Sequence, residues 1–362
     1  MGRGWKTSAA VAVLLAASCG TGSGGAGGTA SGDPQQEATI ALLLPESKTT
    51  RYEAFDRPLF EAKVKALCPA CKVLYSNADQ EPAKQQQQVE AALTQGADVL
   101  VLDAVDAAAV APLVNQAKQR KVPVIAYDRL ISGIGYDYYV SFNNVRVGEM
   151  QGQALLDALT AKGATDKGQI VMIHGSPTDP SSADYKKGAH NVLDGKVKIG
   201  KEYDTPDWSP DKAQQQMEQA ITALGRDSVV GVLSANDGMA GGAIAAMKRA
   251  GYTELPPITG QDAELAAVQR ILTGEQYMTV YLDIRAEAEK SAELAVALTK
   301  GQGPPAPAKV NNGTADIPAF LLDPIAVTKD KVKDTIVKDG FYTVQDICTA
   351  EVKDACERAG LR

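Results

Sequence analysis

Short β-branched runs alternate with longer amphipathic runs along the body of the chain, and this alternation constrains the fold more than any other feature. Ala38 to Leu44, Lys72 to Tyr75, Asp98 to Leu102 and Val122 to Tyr127 read as strands, with helices over Phe55 to Leu67, Pro82 to Gln95 and Ala107 to Arg120. Val89 and Leu93, then Val110, Leu113, Val114 and Ala117, recur at helical spacing. A strand covered on both faces is apolar throughout, as Val99-Leu100-Val101-Leu102 is. The same construction starts again after Ser141-Phe142-Asn143-Asn144. Gln169 to Ile173, Val197 to Tyr203, Val229 to Leu233 and Pro257 to Gly260 supply its strands. Its helices fall near Ala183 to Leu193, Pro210 to Leu224, Ala240 to Ala250 and Ala263 to Leu272. The expected fold class is α/β, with two doubly wound, Rossmann-like parallel-sheet domains in tandem. Such a pair encloses a cleft, and open parallel sheets bind ligands beyond the carboxyl ends of their strands.

Polar clusters stand at those ends. Asp128-Arg129 follows Val122 to Tyr127, Asn236-Asp237 follows Val229 to Leu233, and Gln261-Asp262 follows Gly260. An arginine offers a fixed fork of donors and an aspartate two acceptors, a pairing suited to vicinal hydroxyls. Asp237 is also placed to cap the helix near Ala240, and Asp262 the one near Glu264. Tyr52, after the first strand, and Trp208, in a polar turn, add flat apolar faces.

Motifs for catalysis are sparse. His174 and His190 are the two histidines of the chain, and neither has a partner at metal-binding spacing, so no metal is expected. Neither a nucleotide-binding glycine fingerprint nor a Gly-x-Ser-x-Gly elbow is present, and Ser176 stands in His174-Gly175-Ser176-Pro177. A hydrolase using Asp128 and Asp262 would need them held across a scissile bond, which spacing alone does not supply. The expectation is a binding protein with no cofactor and no catalytic residue.

The chain opens on a different composition. Arg3 and Lys6 precede the apolar run Ala9 to Ala17, which is too short to span a bilayer. The junction Leu15-Ala16-Ala17-Ser18-Cys19 resembles the bacterial lipoprotein signal, and that resemblance implies cleavage before Cys19 and a diacylglycerol anchor on its thiol. Gly20 to Gly32 has the Gly/Ser make-up of a flexible tether. The expected location is the extracytoplasmic face of the bacterial cell membrane, lipid-anchored. Without Arg3 and Lys6, 35 basic residues face 44 acidic ones, a net charge of −9, and no basic stripe is present; nucleic acid is not an expected partner.

Four further cysteines form two local pairs, and an exported chain with an even count reads as two disulfides. Cys68-Pro69-Ala70-Cys71 has the spacing of a redox dithiol, but it follows a helix instead of opening one, where the dipole disfavours the thiolate. A structural staple is expected. Cys348 and Cys356 would lie about 12 Å apart along an unbroken helix, so bridging them requires residues 349–355 to turn back.

The ordered blocks Val124 to Arg129, Tyr139 to Asn144, His174 to Pro177, Ser234 to Asp237, Ala240 to Ala243, Gly260 to Ala263 and Met278 to Tyr281 resemble the D-xylose-binding proteins of bacterial ABC sugar importers. The likeness runs from about Thr39 to Asp346. It implies the type I periplasmic-binding-protein fold, two domains joined by a three-strand hinge. The crossings would lie near Phe142 to Val145, near Thr279 to Asp283 and between about Asn311 and Leu322. Residues 38–143 with 283–312 would form one sugar-binding domain, and 144–282 with 313–362 the other, after a signal over 1–18 and a tether over 19–37.

The ligand contacts carried over by this resemblance are Arg51, Tyr52, Asp128, Arg129, Trp208, Asn236 and Asp262. Tyr52 stands where the xylose binders usually have tryptophan. Leu282 replaces a family lysine, and Pro180-Ser181-Ser182 replaces an Asn-Asn pair, which makes Ser181 and Leu282 further positions of interest. Lost donors change which hydroxyl pattern is favoured, and Leu282 would leave apolar room beside C5, where glucose carries a hydroxymethyl group. The expected function is a monomeric solute-binding protein delivering a neutral monosaccharide to an ABC-type permease. D-xylose comes first; alternatives are D-glucose or another aldopyranose, a sugar sensor for a membrane receptor, and an exported glycoside hydrolase. The DNA-binding repressors of this fold carry a helix-turn-helix before the first strand, where this chain has its leader.

Overall fold

The computed structural model describes residues 37–361. The leader, Cys19 and the Gly/Ser stretch lie outside the described residues. The strands are β1 (Thr39–Leu44), β2 (Lys72–Asn77), β3 (Val99–Leu102), β4 (Val124–Tyr127), β5 (Tyr138–Phe142), β6 (Gln169–His174), β7 (Ile199–Asp204), β8 (Val229–Ser234), β9 (Met278–Tyr281), β10 (Ala308–Asn311), β11 (Asp316–Leu322) and β12 (Ile325–Thr328). The helices are α1 (Arg57–Leu67), α2 (Pro82–Thr94), α3 (Ala111–Gln119), α4 (Asn144–Ala161), α5 (Pro180–Leu193), α6 (Pro210–Leu224), α7 (Asp237–Arg249), α8 (Leu265–Thr273), α9 (Ile284–Thr299), α10 (Val344–Ile347) and α11 (Lys353–Arg358).

The strands form two mixed, mostly parallel sheets, the type I arrangement. One has seven strands in the order β10-β11-β5-β4-β3-β1-β2, parallel except where β10 meets β11. The alternation of β1 shows how it is covered. Ile40, Leu42 and Leu44 pack with Phe60 and Val64 of α1 and with Ala288, Ala292 and Ala295 of α9. Ala41 and Leu43 point the other way, into Val89, Ala92 and Leu93 of α2 and Leu113, Val114 and Ala117 of α3. Both faces are dry, so the strand sequence is continuously apolar.

The other sheet is built on the parallel strands β7-β6-β8 and the antiparallel pair β9-β12. Single bridges, Ile258 to Val232 and Gln261 to Val280, link the two parts. The strand expected over Pro257 to Gly260 is thus reduced to isolated bridges around which the chain bends. On this sheet α4 and α5 meet at glycines: a Cβ on Gly148 would lie 1.9 Å from the Tyr185 carbonyl oxygen, and one on Gly188 2.0 Å from that of Val145. The helices therefore touch backbone to backbone.

Sheet membership changes three times along the chain. β5 ends at Phe142 and Asn143 caps α4, its side chain accepting from the Arg146 amide. β9 ends at Tyr281 and Asp283 caps α9 in the same way. The third change falls between Leu322 and Ile325. β11 pairs with β5, whereas β12 pairs with β9. The chain therefore leaves the first sheet after Leu322 and not after Asn312, because residues 316–322 extend the parallel sheet beside β5. The Asn143 amide donates to the Leu322 carbonyl at 3.1 Å, tying two crossings together.

Both cysteine pairs are bridged, with Cα separations of 5.3 Å for Cys68–Cys71 and 5.9 Å for Cys348–Cys356. The second requires a reversal, and the chain supplies it by ending α10 at Ile347 and starting α11 at Lys353.

Candidate ligand-binding cleft

The carboxyl ends of the strands from both sheets face one cleft between their loops. β4 runs directly into Asp128-Arg129, β8 into Asn236, and the bridge residues 258–261 into Asp262. Arg51 and Tyr52 arrive after β1 through a π-helical turn, Tyr52–Asp56, that leads into α1. Trp208 sits in the short turn between β7 and α6. These seven side chains, together with Thr49, Asp179, Tyr185 and Gln261, line the cavity.

Three of the seven hold a backbone conformation that L-residues rarely adopt: φ is +58° at Asp128, +52° at Trp208 and +90° at Asp262. Each sits on a sharp exit from a strand or turn, and strain of this kind persists where surrounding structure over-determines it, typically at ligand clamps.

Two buried arginines organise the electrostatics. Arg51 donates from Nε and Nη2 to the two oxygens of Asp56 at 3.0 and 2.8 Å, a fork made possible because residues five apart align along a π turn. Its Nη1 reaches Asp128 at 3.2 Å and its Nη2 reaches Glu287 of α9 at 2.5 Å. Tyr127 also donates to Asp56. Arg129 pairs through Nε with Asp179 at 3.1 Å and with Asp103 at 3.4 Å. The Tyr52 hydroxyl donates to Asp128 at 3.0 Å and accepts from Arg129 at 3.3 Å, so it links the two arginine systems. With Asp262 on the opposite wall, six carboxylates surround two guanidiniums. Burial raises the carboxyls of Asp103 and Glu287 well above the usual range, Arg129 and Arg51 respectively opposing it.

Asp262 is pushed up to about 6 by burial, and Glu264, a largely buried neighbour, to about 7 by burial reinforced by the Asp262 charge. A carboxyl with a higher pKa in the folded chain than in the unfolded one takes up a proton on folding between those two values. It therefore costs stability above its folded pKa, and the cost is relieved as pH falls through it. The expected result is a gain of about 1 kcal/mol in the stability of the ligand-free protein between pH 8 and pH 6.5. Thermal unfolding at the two pH values measures it; Glu264→Gln should flatten the difference, and an equal slope in that variant would refute the assignment.

The aromatic wall depends on a glycine. Trp208 is 6% exposed, meets Tyr185 edge-on at 6.2 Å between ring centroids, and donates from Nε1 to Asp179 at 3.2 Å. A Cβ on Gly175 would fall 2.0 to 2.4 Å from its six-membered ring. Gly175→Ala should therefore push the indole into the cavity and weaken ligand by at least about tenfold, through about 1.4 kcal/mol of lost fit. Titration calorimetry checks this, and unchanged affinity would show that Trp208 is not a wall of the site.

Two expected positions fall elsewhere. Leu282 is fully buried in the apolar cluster of Val280, Ile284 and Phe341 and does not line the cavity, so the apolar room expected beside C5 does not come from it. Ser181 supports the site from behind: its amide donates to Asp179 and its hydroxyl accepts from Asn144. The cap reading is also corrected. Asn236 caps α7, accepting from the Met239 amide at 3.0 Å. Asp237 is fully buried instead, accepting from Gln276 at 2.6 Å, Thr279 at 2.9 Å and the Glu264 amide at 3.0 Å. Nor does Asp262 cap a helix; α8 begins after Glu264.

Comparison with known proteins accords with this geometry. Residues 40–303 match the periplasmic binding protein domain, and the chain belongs to that family. It is 37% identical over 317 residues to the D-xylose-binding periplasmic protein of Haemophilus influenzae, covering 86% of this chain and 92% of the relative. The protein of the same description from Escherichia coli is 36% identical, at 86% and 93% coverage. A solute-binding protein of an ABC transporter from Clostridium phytofermentans, solved with bound β-D-glucose, superposes with a TM-score of 0.78 at 27% identity, over 85% of this chain and 99% of that one. These relatives are binding proteins and not enzymes, in agreement with the lack of a catalytic motif.

Proposed function

We propose that this chain is a lipid-anchored, extracytoplasmic solute-binding protein that captures a neutral aldopyranose, D-xylose ahead of D-glucose, and delivers it to an ABC-type sugar permease. The observation that carries the reading is the convergence of two arginines, three carboxylate acceptors and two aromatic faces on one cleft. A pyranose presents hydroxyl donors around its rim to Asp128, Asp179 and Asp262, acceptors to Arg51, Arg129 and the Asn236 amide, and C–H faces to Tyr52 and Trp208. The acidic lining of Asp128, Asp179 and Asp262 disfavours an acidic sugar. The two D-xylose-binding relatives favour xylose, and the relative solved with β-D-glucose keeps glucose as the competitor. Since the groups belong to two walls, ligand affinity would drive their closure, and the closed surface is what a permease would read.

Calorimetric titration of the ligand-free protein with xylose, glucose, ribose, amino acids and oligosaccharides tests this. Tight binding of xylose or glucose is the expected result; both silent, with another solute bound, would overturn the ligand. The anchor is tested separately by intact mass of the membrane-fraction protein, which should begin at a diacylglycerol-bearing Cys19.

A further inference from the structure

The two histidines of the chain, far from any metal-binding spacing in sequence, meet on one carboxylate oxygen. His174 closes β6, His190 lies in the last turn of α5, and Glu202 is in β7. Glu202 Oε1 is 3.0 Å from His174 Nε2, 3.0 Å from His190 Nε2 and 2.9 Å from Lys186 Nζ. A carboxylate oxygen has about two lone-pair directions, so three nitrogens overfill it. The far side of His190 is fixed as well, with Nδ1 2.7 Å from Asp194 Oδ1 one helical turn away. Between these two carboxylates a protonated His190 donates from Nδ1 to Asp194 and from Nε2 to Glu202. When Nε2 gives up its proton, its lone pair faces Glu202 and a metal cation can take the proton's place.

We propose that His174 Nε2, His190 Nε2 and Glu202 Oε1 form a binding site for a divalent transition metal, Zn²⁺ by preference, with water completing its coordination. The three ligand atoms lie within 4.8 Å of one another, and two imidazoles with one carboxylate are a ligand set that zinc accepts with a position left open. Asp194 behind His190 supplies the outer carboxylate that orients a metal-bound imidazole. Lys186 holds the cation position in its place. Its ammonium is partly exposed and also lies 3.4 Å from Asp204, so it can move to that carboxylate and to solvent as the dication enters. A proton shared between His190 and Glu202 leaves with it.

The site lies beside the cleft wall without being part of it. The His174 carbonyl accepts from the Thr205 amide at 3.1 Å, and Gly175, next in the chain, carries the Trp208 indole. A metal here would pin the ends of β6 and β7 on which that wall stands. This site does not depend on which sugar the cleft takes.

The test uses the untagged full chain, stripped with EDTA and titrated with ZnCl₂. Because the chain has two histidines, the ring C–H signals in NMR report the site directly, alongside Tm. Both histidines should shift together to a 1:1 end point and Tm should rise. His190→Ala should weaken Zn²⁺ at least about tenfold, and Lys186→Ala should tighten it by removing the competing ammonium. Both of those side chains are partly exposed and neither belongs to the apolar core, so both variants are expected to fold, with unchanged far-ultraviolet circular dichroism as the check. Three results would overturn the proposal: no shift of either histidine, a shift of His190 alone, or Zn²⁺ binding undiminished in His190→Ala.

Discussion

Replacing Arg51 with methionine should destabilise the ligand-free protein by about 3–5 kcal/mol and abolish sugar binding. The guanidinium is 4% exposed and neutralises Asp56, Asp128 and Glu287 at once. Methionine fills much of the volume but leaves three carboxylates facing one another in a medium where charge is poorly solvated. Removal of one partner of a buried ionic cluster costs far more than the net worth of the cluster, because what remains is uncompensated charge. At the ~2 °C per kcal/mol expected of a chain this large, Tm should fall by roughly 6–10 °C. Acid should restore part of the loss, since protonating Glu287 removes one of the stranded charges. A Tm within a degree of the parent would mean that the arginine is not what holds these carboxylates.

Asp262→Ala should weaken the preferred sugar by about 2–4 kcal/mol, or roughly 30- to 1000-fold, through hydroxyls left without an acceptor. Its effect on stability should be small. Alanine at a φ of +90° carries backbone strain on the order of 1 kcal/mol, offset by the loss of a buried carboxylate whose pKa is already pushed up to about 6. Asp237→Ala should behave in the opposite way. It strands the Thr279 hydroxyl, the Gln276 amide and the Glu264 N–H, and should cost about 3 kcal/mol of stability while changing affinity little. Calorimetry and thermal unfolding on both variants separate the roles. If Asp237→Ala proves the stronger binding defect, the assignment of acceptor and scaffold must be reversed.

The location of the site was legible in the sequence because a parallel strand ends where its β-branched run ends, and the next residues face the ligand. Asp128-Arg129, Asn236 and Asp262 are all found by that local rule. Applied to β3, the same rule would have found Asp103, which pairs with Arg129, whereas Asp179 lies five residues beyond the end of β6, at the N-cap of α5. Tyr185 had no such signal: it projects from within α5, and it reaches the cavity because glycines bring α4 and α5 together. The roles within the site were not legible either. Asp237 reads as a cap from its place before a helix, yet its neighbour Asn236 makes the cap and Asp237 is drawn inward by Gln276 and Thr279, some forty residues later.

What the sequence by itself determined is therefore what depends on near neighbours: the repeated alternation of strand and helix, the cysteine pairs, and the strand-end residues that meet in the cleft. The tertiary structure decided what depends on distant partners. It assigned Asp316–Leu322 to the first sheet, joined Arg51 to Glu287 across 236 positions, buried Leu282 in the core, and brought His174, His190 and Glu202 together. The division has a physical cause. Backbone preference and hydrophobic periodicity act over a few residues, whereas the partner of a buried charge is selected by whichever group the packed sheets bring within about 3 Å, and no local pattern encodes that choice.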